Sequence, residues 1–405
     1  MPLKILLLNQ VFYPDVVATA QHLSDLAAAL SERGHAVTVV SSRRAYDHPE
    51  TRYPAREQWR GVSIIRIFST HFGKRAKWRR AADFASFLFF CSARLLVLPR
   101  QDVVVALTTP PLISFLGAWR ARLWGARFVY WVMDFNPDEA IAAGWLRADS
   151  LAAKFLERLS RFSLRRADAI VALDRFMRDR IVAKQISPEK VAVIPPWSQD
   201  GEVRFDAAGR EEFRTAHGLQ DKFVVMFSGN HSPVHPLDTL LQAADHLRGE
   251  KDIVFAFIGG GSEFTKVKQW AEGNPRILCL PYQPLARLSA SLSAADMQVV
   301  VMGEKMLGLV NPCKIYNILM VGAPVLYIGP RSSHVTEIFA GLPDYPWISA
   351  QTGEAKILAE RIRQRAAGPA AGRLAPQDAM AAYSSRAWMP KMMVAIEPGD
   401  KAGKA

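Results

Sequence analysis

Short apolar runs rich in β-forming residues alternate with helical stretches along the whole chain, and the alternation stops once and starts again. Strands that alternate with helices pair in parallel, because each return passes through a crossover helix, and the resulting sheet is covered on both faces. In the first half the strands are read as Lys4–Asn9, Ala36–Ser41, Val62–Phe68, Val103–Leu107, Arg127–Met133, Ala169–Leu173 and Val191–Ile194. Helices are expected between them at Thr19–Arg33, Ala81–Leu98, Leu151–Arg166 and Arg175–Lys184. The cluster Pro195-Pro196-Trp197-Ser198-Gln199-Asp200-Gly201 breaks the pattern and reads as a linker.

The pattern restarts with strands Phe223–Ser228, Ile253–Ile258, Ile277–Leu280, Met297–Met302 and Pro324–Ile328, and with helices Leu237–Arg248, Glu263–Glu272 and Leu285–Ser293. The expected fold class is α/β, two Rossmann-like domains with parallel sheets facing one another, residues 1–195 and 196–376. A segment over 377–405 follows. Its helix is expected to kink at Pro390 and to bring Trp388, Met389, Met392 and Met393 back to the first domain.

A chain of 405 residues suits two such domains, and 50% hydrophobic with 22% charged residues allows a substantial core. Cys91, Cys279 and Cys313 lie far apart with no CxxC or Cys/His ligand spacing. That argues against a disulfide framework and a structural zinc, and fits a reducing cytosol. The apolar run after Met1 is short for a signal peptide, and Phe84 to Leu98, interrupted by Arg94, falls short of a span. A soluble or peripheral protein is expected. Of the net charge of +13, nearly all belongs to the first half, where 29 lysines and arginines face 17 acidic residues up to Pro195. A basic half needs an anionic partner or surface. The run Lys74-Arg75-Ala76-Lys77-Trp78-Arg79-Arg80 precedes Phe84, Phe87, Leu88, Phe89 and Phe90, cations before aromatics, as in a helix lying on an anionic membrane. Plain solvated surface is the alternative. Nucleic acid is not expected as a partner, since no recognition fold is visible.

In Gly308-Leu309-Val310-Asn311-Pro312-Cys313-Lys314, a flexible loop opens a short helix with a lysine in its first turn, and Gly322-Ala323-Pro324 then leads into a strand. Unpaired N–H groups at a helix start, with a lysine beside them, suit a phosphate or diphosphate. A capped helix with a solvated lysine would look the same. Phe227-Ser228-Gly229-Asn230-His231-Ser232 and Gly259-Gly260-Gly261-Ser262 end two neighbouring strands, where a parallel sheet borders its ligand crevice. Three glycine loops, at Gly229, Gly259 and Gly308, suggest a nucleotide across that edge. The spacing is not the dinucleotide GxGxxG pattern.

In the first half, Tyr13 leaves the first strand, Thr19 and Gln21 open the next helix, and His22 more plausibly faces along it than into chemistry. Val132-Met133-Asp134-Phe135-Asn136-Pro137-Asp138-Glu139 ends a later strand. There Asp134 and Asp138 could act as a base or bind hydroxyls, although Asp138 could equally be a helix cap.

These stretches, in order, resemble the GT-B glycosyltransferases of family 4, in the branch that builds bacterial surface polysaccharides. The resemblance rests on the Tyr13-Pro14 loop, the run from Leu30-Ser31-Glu32-Arg33-Gly34-His35 to Val39, Val193-Ile194-Pro195, and the block from Pro312 to Val325. It covers nearly the whole length. It implies a nucleotide-sugar donor, expected to be UDP-linked, in the second domain and an acceptor, a lipid-linked saccharide, in the first. It also implies retention at the anomeric carbon, no metal, and no cofactor beyond the substrate.

By the same resemblance Lys314 meets the diphosphate, while Gly229, Asn230, His231, Ser232, His235, Gly260, Gly308, Leu309, Val310 and Asn317 surround the donor. Tyr282 and Gln283 face its base, Tyr13, Thr19 and Gln21 belong to the acceptor loop, and Asp134 and Asp138 are candidate catalytic carboxylates. The chain departs from the family where Leu309 and Asn317 replace a glutamate pair, Asn230 and His235 replace an arginine and a lysine, and Met133 replaces a histidine. The expected protein is a peripheral enzyme on the cytoplasmic membrane face. A UDP-sugar epimerase of the same fold and a non-catalytic membrane-associated assembly subunit are the alternatives.

Overall fold

The computed structural model describes residues 1–46, 50–73, 77–198, 203–369 and 381–397, with Lys77 described by its backbone alone. Lys74, Arg75 and Ala76 of the basic run, Gln199 to Gly201 of the linker, residues 370–376 and the tail from 398 lie outside the described residues. The chain forms two units.

The first unit holds Met1–Pro195, Gly308–Asn311 and the described residues from Trp388 on. Its elements are β1 (Lys4–Leu8), α1 (Ala18–Glu32), β2 (Ala36–Ser42), β3 (Arg56–Trp59), β4 (Val62–Ile67), α2 (Lys77–Val97), β5 (Val103–Ala106), α3 (Ile113–Trp124) and β6 (Arg127–Trp131). Then follow α4 (Asp138–Ala142), α5 (Leu151–Arg166), β7 (Ala169–Ala172), α6 (Arg175–Ala183) and β8 (Val191–Val193). The sheet runs β3-β4-β2-β1-β5-β6-β7-β8, parallel except for β3 at its edge. Ile5 to Leu8 and Val103 to Ala106 are fully buried, as continuous apolar strands must be when helices cover both faces. Strand order reverses between β1 and β5, so their carboxyl ends frame a crevice.

The second unit holds Pro196–Leu307 and Pro312–Ala387. Within it lie α7 (Ala207–Ala216), β9 (Phe223–Asn230), α8 (Asp238–His246), β10 (Ile253–Gly260), α9 (Phe264–Gly273), β11 (Ile277–Leu280), α10 (Leu288–Ser293) and β12 (Met297–Val301). After these come α11 (Lys314–Val321), β13 (Val325–Ile328), α12 (His334–Ala340), β14 (Trp347–Ala350) and α13 (Ala355–Ala367). All six strands are parallel, in the order β11-β10-β9-β12-β13-β14, and the reversal lies between β9 and β12. Phe227, Phe255 and Phe257 on the central strands pack with Leu240, Leu241 and Leu358 from the covering helices into one core.

The last helix, α14 (Ser385–Ile396), contains Pro390. Met392, Met393 and Ile396 are buried, the Ala395 carbonyl accepts from Arg127 (3.1 Å), and Glu397 pairs with Arg33 (3.2 Å) and His35 (3.1 Å).

Structure and sequence boundaries differ in two places. Gly308–Asn311, read as part of a second domain over 196–376, belongs to the first unit, and the described residues from 381 to Ala387 belong to the second. The edge strand β3, Arg-Glu-Gln-Trp, was missed because it has no apolar alternation. Its polar composition suits an exposed sheet edge. Helices α3, α4, α7, α12 and α13 and strand β14 likewise have no counterpart among the expected elements.

Candidate active site

In the second unit the strand reversal puts the carboxyl ends of β9 and β12 side by side, and α11 begins there. Lys314 is its first residue, directly after Pro312 and Cys313. Its Nζ lies 3.3 Å from the centre of the Phe227 ring. It also lies 3.2 Å from where a Cβ on Gly229 would be, so the glycine leaves the ammonium its space. The Nζ is sealed from solvent and has no hydrogen-bond partner among the described residues. Burial alone pushes the Lys314 pKa down to about 7.

The neighbouring basic groups respond in the same way. His235 donates from Nδ1 to the Val301 carbonyl (2.8 Å), and the His231 amide donates to the Gly260 carbonyl (2.8 Å). Burial first, and the Lys314 charge second, hold the His235 imidazole down at about 3 and that of His231 at about 4. A buried cation without an acceptor is costly unless an anion arrives to pair with it. The arrangement can therefore hold an anion.

Tyr282, half exposed, lies flat over Gly259 and Gly260, where added Cβ atoms would stand 3.3 and 3.2 Å from its ring. Its hydroxyl donates to the Gly260 carbonyl (3.4 Å) at the sheet edge. Gln283 is half-buried and donates to its own loop at Pro281 (3.0 Å). Asn230 is exposed at the strand end, and the Ser232 carbonyl accepts from the His235 amide (2.9 Å). Gly261 holds φ +133, and a Cβ there would run into the His231 carbonyl. Asn317 is half-buried three residues after Lys314, hence on the same helix face.

Gly308, Leu309 and Val310, expected at the donor, belong by their contacts to the first unit. Gly308 has φ +70 and backs onto the Phe176 carbonyl, where a Cβ would collide. The Leu309 carbonyl accepts from the Phe135 amide (2.8 Å), and Leu309 and Val310 are buried. The Asn311 amide donates to Asp174 (3.2 Å), whose carboxylate also caps α6 at the Met177 amide (2.8 Å). Apolar burial at Leu309 and Val310 explains why this segment packs as core. The expected grouping of three glycine loops in one domain reduces to those at Gly229 and Gly259.

At the carboxyl end of β6, the Asp134 amide donates to the Thr108 hydroxyl oxygen (3.3 Å). Asp138 does not join it. Its carboxylate pairs with Lys184 (2.7 Å), which also holds Glu157 (2.7 Å) and lies over the Phe135 ring. The second carboxylate beside Asp134 is Glu139, whose Oε2 accepts from Asn136 (3.3 Å). Burial raises the pKa of both, their mutual repulsion adds to it for Glu139, and Arg80 opposes it. Two carboxyl groups facing one guanidinium favour holding one shared proton near neutrality. The sequence did not separate Asp138 from Glu139. Adjacent residues in a first helical turn point about 100° apart, and packing decides which turns inward.

Tyr13 stacks on Trp59 at 4.5 Å, and its carbonyl accepts from Arg66 (2.8 Å). Thr19 and Gln21 are half-buried on the first turns of α1. His22 is core, held neutral by burial at about 4. A cavity at the ends of β1, β2 and β4 is lined by Gln10, Ser42, Arg44, Thr70, His71 and Arg80, not by Tyr13, Thr19 or Gln21. Among the described residues no three His, Cys, Asp or Glu side chains gather as they would around a metal ion.

Residues 18–197 match the family described as "Glycosyl transferase 4-like domain". Two relatives are provisionally named as glycosyltransferases. WbjE of Pseudomonas aeruginosa is 30% identical over 261 residues, 64% of this chain and 64% of that protein. WcaI of Escherichia coli K12, named for colanic acid biosynthesis, is 23% identical over 382 residues, 89% of this chain and 92% of that one. Among solved structures, WaaG, a glycosyltransferase involved in lipopolysaccharide biosynthesis, has a TM-score of 0.70 at 15% identity, covering 98% and 100% of the two chains. Anabaena HepE in complex with UDP-glucose has a TM-score of 0.68 at 14% identity, covering 97% and 100%. This likeness shows the fold, which is GT-B.

Proposed function

We propose, from the match of residues 18–197 to the glycosyl transferase 4-like family, that the chain moves a sugar from a UDP-linked donor to a lipid-linked saccharide in surface polysaccharide synthesis. The observation that carries this reading is the buried ammonium of Lys314 with no hydrogen-bond partner among the described residues. Departure of a diphosphate builds negative charge, and a pre-placed cation in a water-poor pocket stabilises that charge as it forms. Lys314 would meet the diphosphate, with the β9 and β10 loops at Gly229 and Gly260 leaving room for it. Tyr282, half exposed, would face the base, and the UDP-glucose seen in HepE supports the donor class.

Retention follows from the family resemblance, and Lys314 supplies the charge that a metal would otherwise bring. In the first unit, Asp134 with Glu139 would bind the acceptor hydroxyl and hold its proton at the Asp134 carboxylate. A lipid-linked acceptor brings that unit to the cytoplasmic face of the membrane, where Arg79 and the run from Lys74 meet anionic headgroups. No helix among the described residues is long and apolar enough to cross a bilayer.

The test is incubation with a panel of nucleotide sugars and lipid-linked acceptors. Transfer to an acceptor with release of UDP is the expected result. Sugar interconversion without acceptor would replace the reading with the epimerase. Binding of UDP with no turnover on any pair would favour the assembly subunit.

A further inference from the structure

The outer face of α2 is an exposed apolar stripe. Trp78, Phe89, Leu96 and Val97 are 63%, 68%, 60% and 70% exposed. From Ala81 to Val97 the exposed positions carry only alanine, phenylalanine, leucine and valine. The inner face holds Phe87, Cys91 and Leu95, fully buried. A surface helix normally turns charges outward, so a helix apolar on both sides needs a second apolar neighbour. At 21 residues the helix is about 30 Å long.

The stripe continues onto adjacent elements. The Phe68 ring packs on Phe90 at 5.2 Å, Phe72 lies 6.2 Å from Trp78, and Leu123 on α3 is 57% exposed. The charges along α2 turn elsewhere. Arg80 lies over Phe84 and Trp145, and Asp83 accepts from the Thr70 hydroxyl and the Phe72 amide (both 2.9 Å). Arginines rim the stripe. Arg79 lies over Trp78 at 5.4 Å, Arg120 donates to the Leu96 carbonyl (3.4 Å), and Arg100 and Arg122 are exposed. Asp83, itself buried, is the sole acidic residue of α2 and α3.

We propose that this face lies in the headgroup–acyl boundary of an anionic membrane leaflet, held by buried apolar surface as well as by charge. A helix with an apolar face and cationic flanks rests in that plane, with aromatic rings at headgroup depth. Two copies of the face would bring arginine rims together, whereas an anionic leaflet complements them. The proposal deepens the lipid-linked acceptor reading and rests on it for its purpose. It changes what salt should do, since apolar burial survives screening and a purely ionic contact does not.

The experiment is flotation with phosphatidylcholine vesicles, with and without phosphatidylglycerol, in about 0.1 M and about 1 M NaCl, where the Debye length falls from about 10 to about 3 Å. Wild type is compared with a Phe89→Ser, Leu96→Ser, Val97→Ser variant, whose exposed positions leave the core intact, with circular dichroism and UDP titration as folding controls. Wild type should float with anionic vesicles and keep a large part of its binding in high salt, while the variant binds about tenfold less in both. Equal flotation of the two proteins overturns the proposal, as does loss of all wild-type binding in high salt. A wild-type dimer that the substitutions dissociate, without vesicle binding, assigns the face to a second copy instead. Sugar transfer to a detergent-solubilised acceptor separates the two readings. Flotation without transfer by wild type would sink the acceptor reading and leave this one standing.

Discussion

Replacing Lys314 with methionine should make the unliganded protein more stable and at the same time unable to hold its donor. The ammonium is sealed from solvent, has no hydrogen-bond partner among the described residues, and titrates at about 7 instead of its usual 10.5. A displacement of that size corresponds to about 5 kcal/mol against the charged form, as an upper bound that relaxation reduces. The sign follows from linkage. Between pH 7 and 10.5 the unfolded chain binds a proton that the folded chain does not, so stability rises with pH across that window. Between pH 6 and 8.5 about 2 kcal/mol of the deficit should disappear in wild type and nothing comparable in the variant.

Methionine keeps the contact with the Phe227 ring through its sulfur, so packing is largely preserved. Thermal unfolding followed from pH 6 to 8.5, with and without UDP, reads the effect. At pH 6 the variant should melt higher, by about 2–4 °C for each kcal/mol gained, and UDP should raise the wild-type midpoint alone. Turnover should fall by about 2–4 kcal/mol in transition-state stabilisation. UDP affinity in wild type should weaken above pH 7, because binding must then draw a proton onto the lysine. A variant that melts lower at pH 6, or keeps its UDP affinity, would refute the argument that this lysine is a strained anion receptor.

Five further variants test the same geometry. Asp134→Asn should abolish transfer, whereas Glu139→Gln should leave the acidic limb of the pH–rate profile in place, because the higher-titrating Glu139 carries no charge while Asp134 ionises, and should remove a second ionisation near pH 8. Asp138→Asn, which only loosens the Lys184 ion pair, should leave that profile in place and cost about 1 kcal/mol in denaturant titration. Gly261→Ala must hold φ +133 with a Cβ against the His231 carbonyl, so it should lose about 1–3 kcal/mol of stability and weaken UDP binding in calorimetry. Asn311→Ala strips a partner from buried Asp174 and should cost about 1–3 kcal/mol, seen as faster proteolysis in the 308–311 segment.

The apolar rhythm of the chain determined the α/β class and most strands to within a residue or two, because buried parallel strands carry their signal locally, as in Ile5 to Leu8. It also showed that Lys314 opens a helix beside a glycine-bearing strand end. Several decisions needed tertiary structure. The charge state of Lys314 depends on the Phe227 ring and on Gly229, both some 85 residues earlier, since desolvation is a property of surroundings and not of sequence neighbours. Glu139 and Asp138 are adjacent and chemically alike. The position of Lys184 on another helix sends one to a salt bridge and leaves the other beside Asp134. The loop at Gly308 reads as a phosphate cradle by composition. Its burial against Phe135, Phe176 and Asp174 is a long-range fact that makes it part of the first unit. The aromatics of α2 read from sequence as one membrane-facing run, and only the fold sorts them, burying Phe87 against the sheet and leaving Phe89 uncovered.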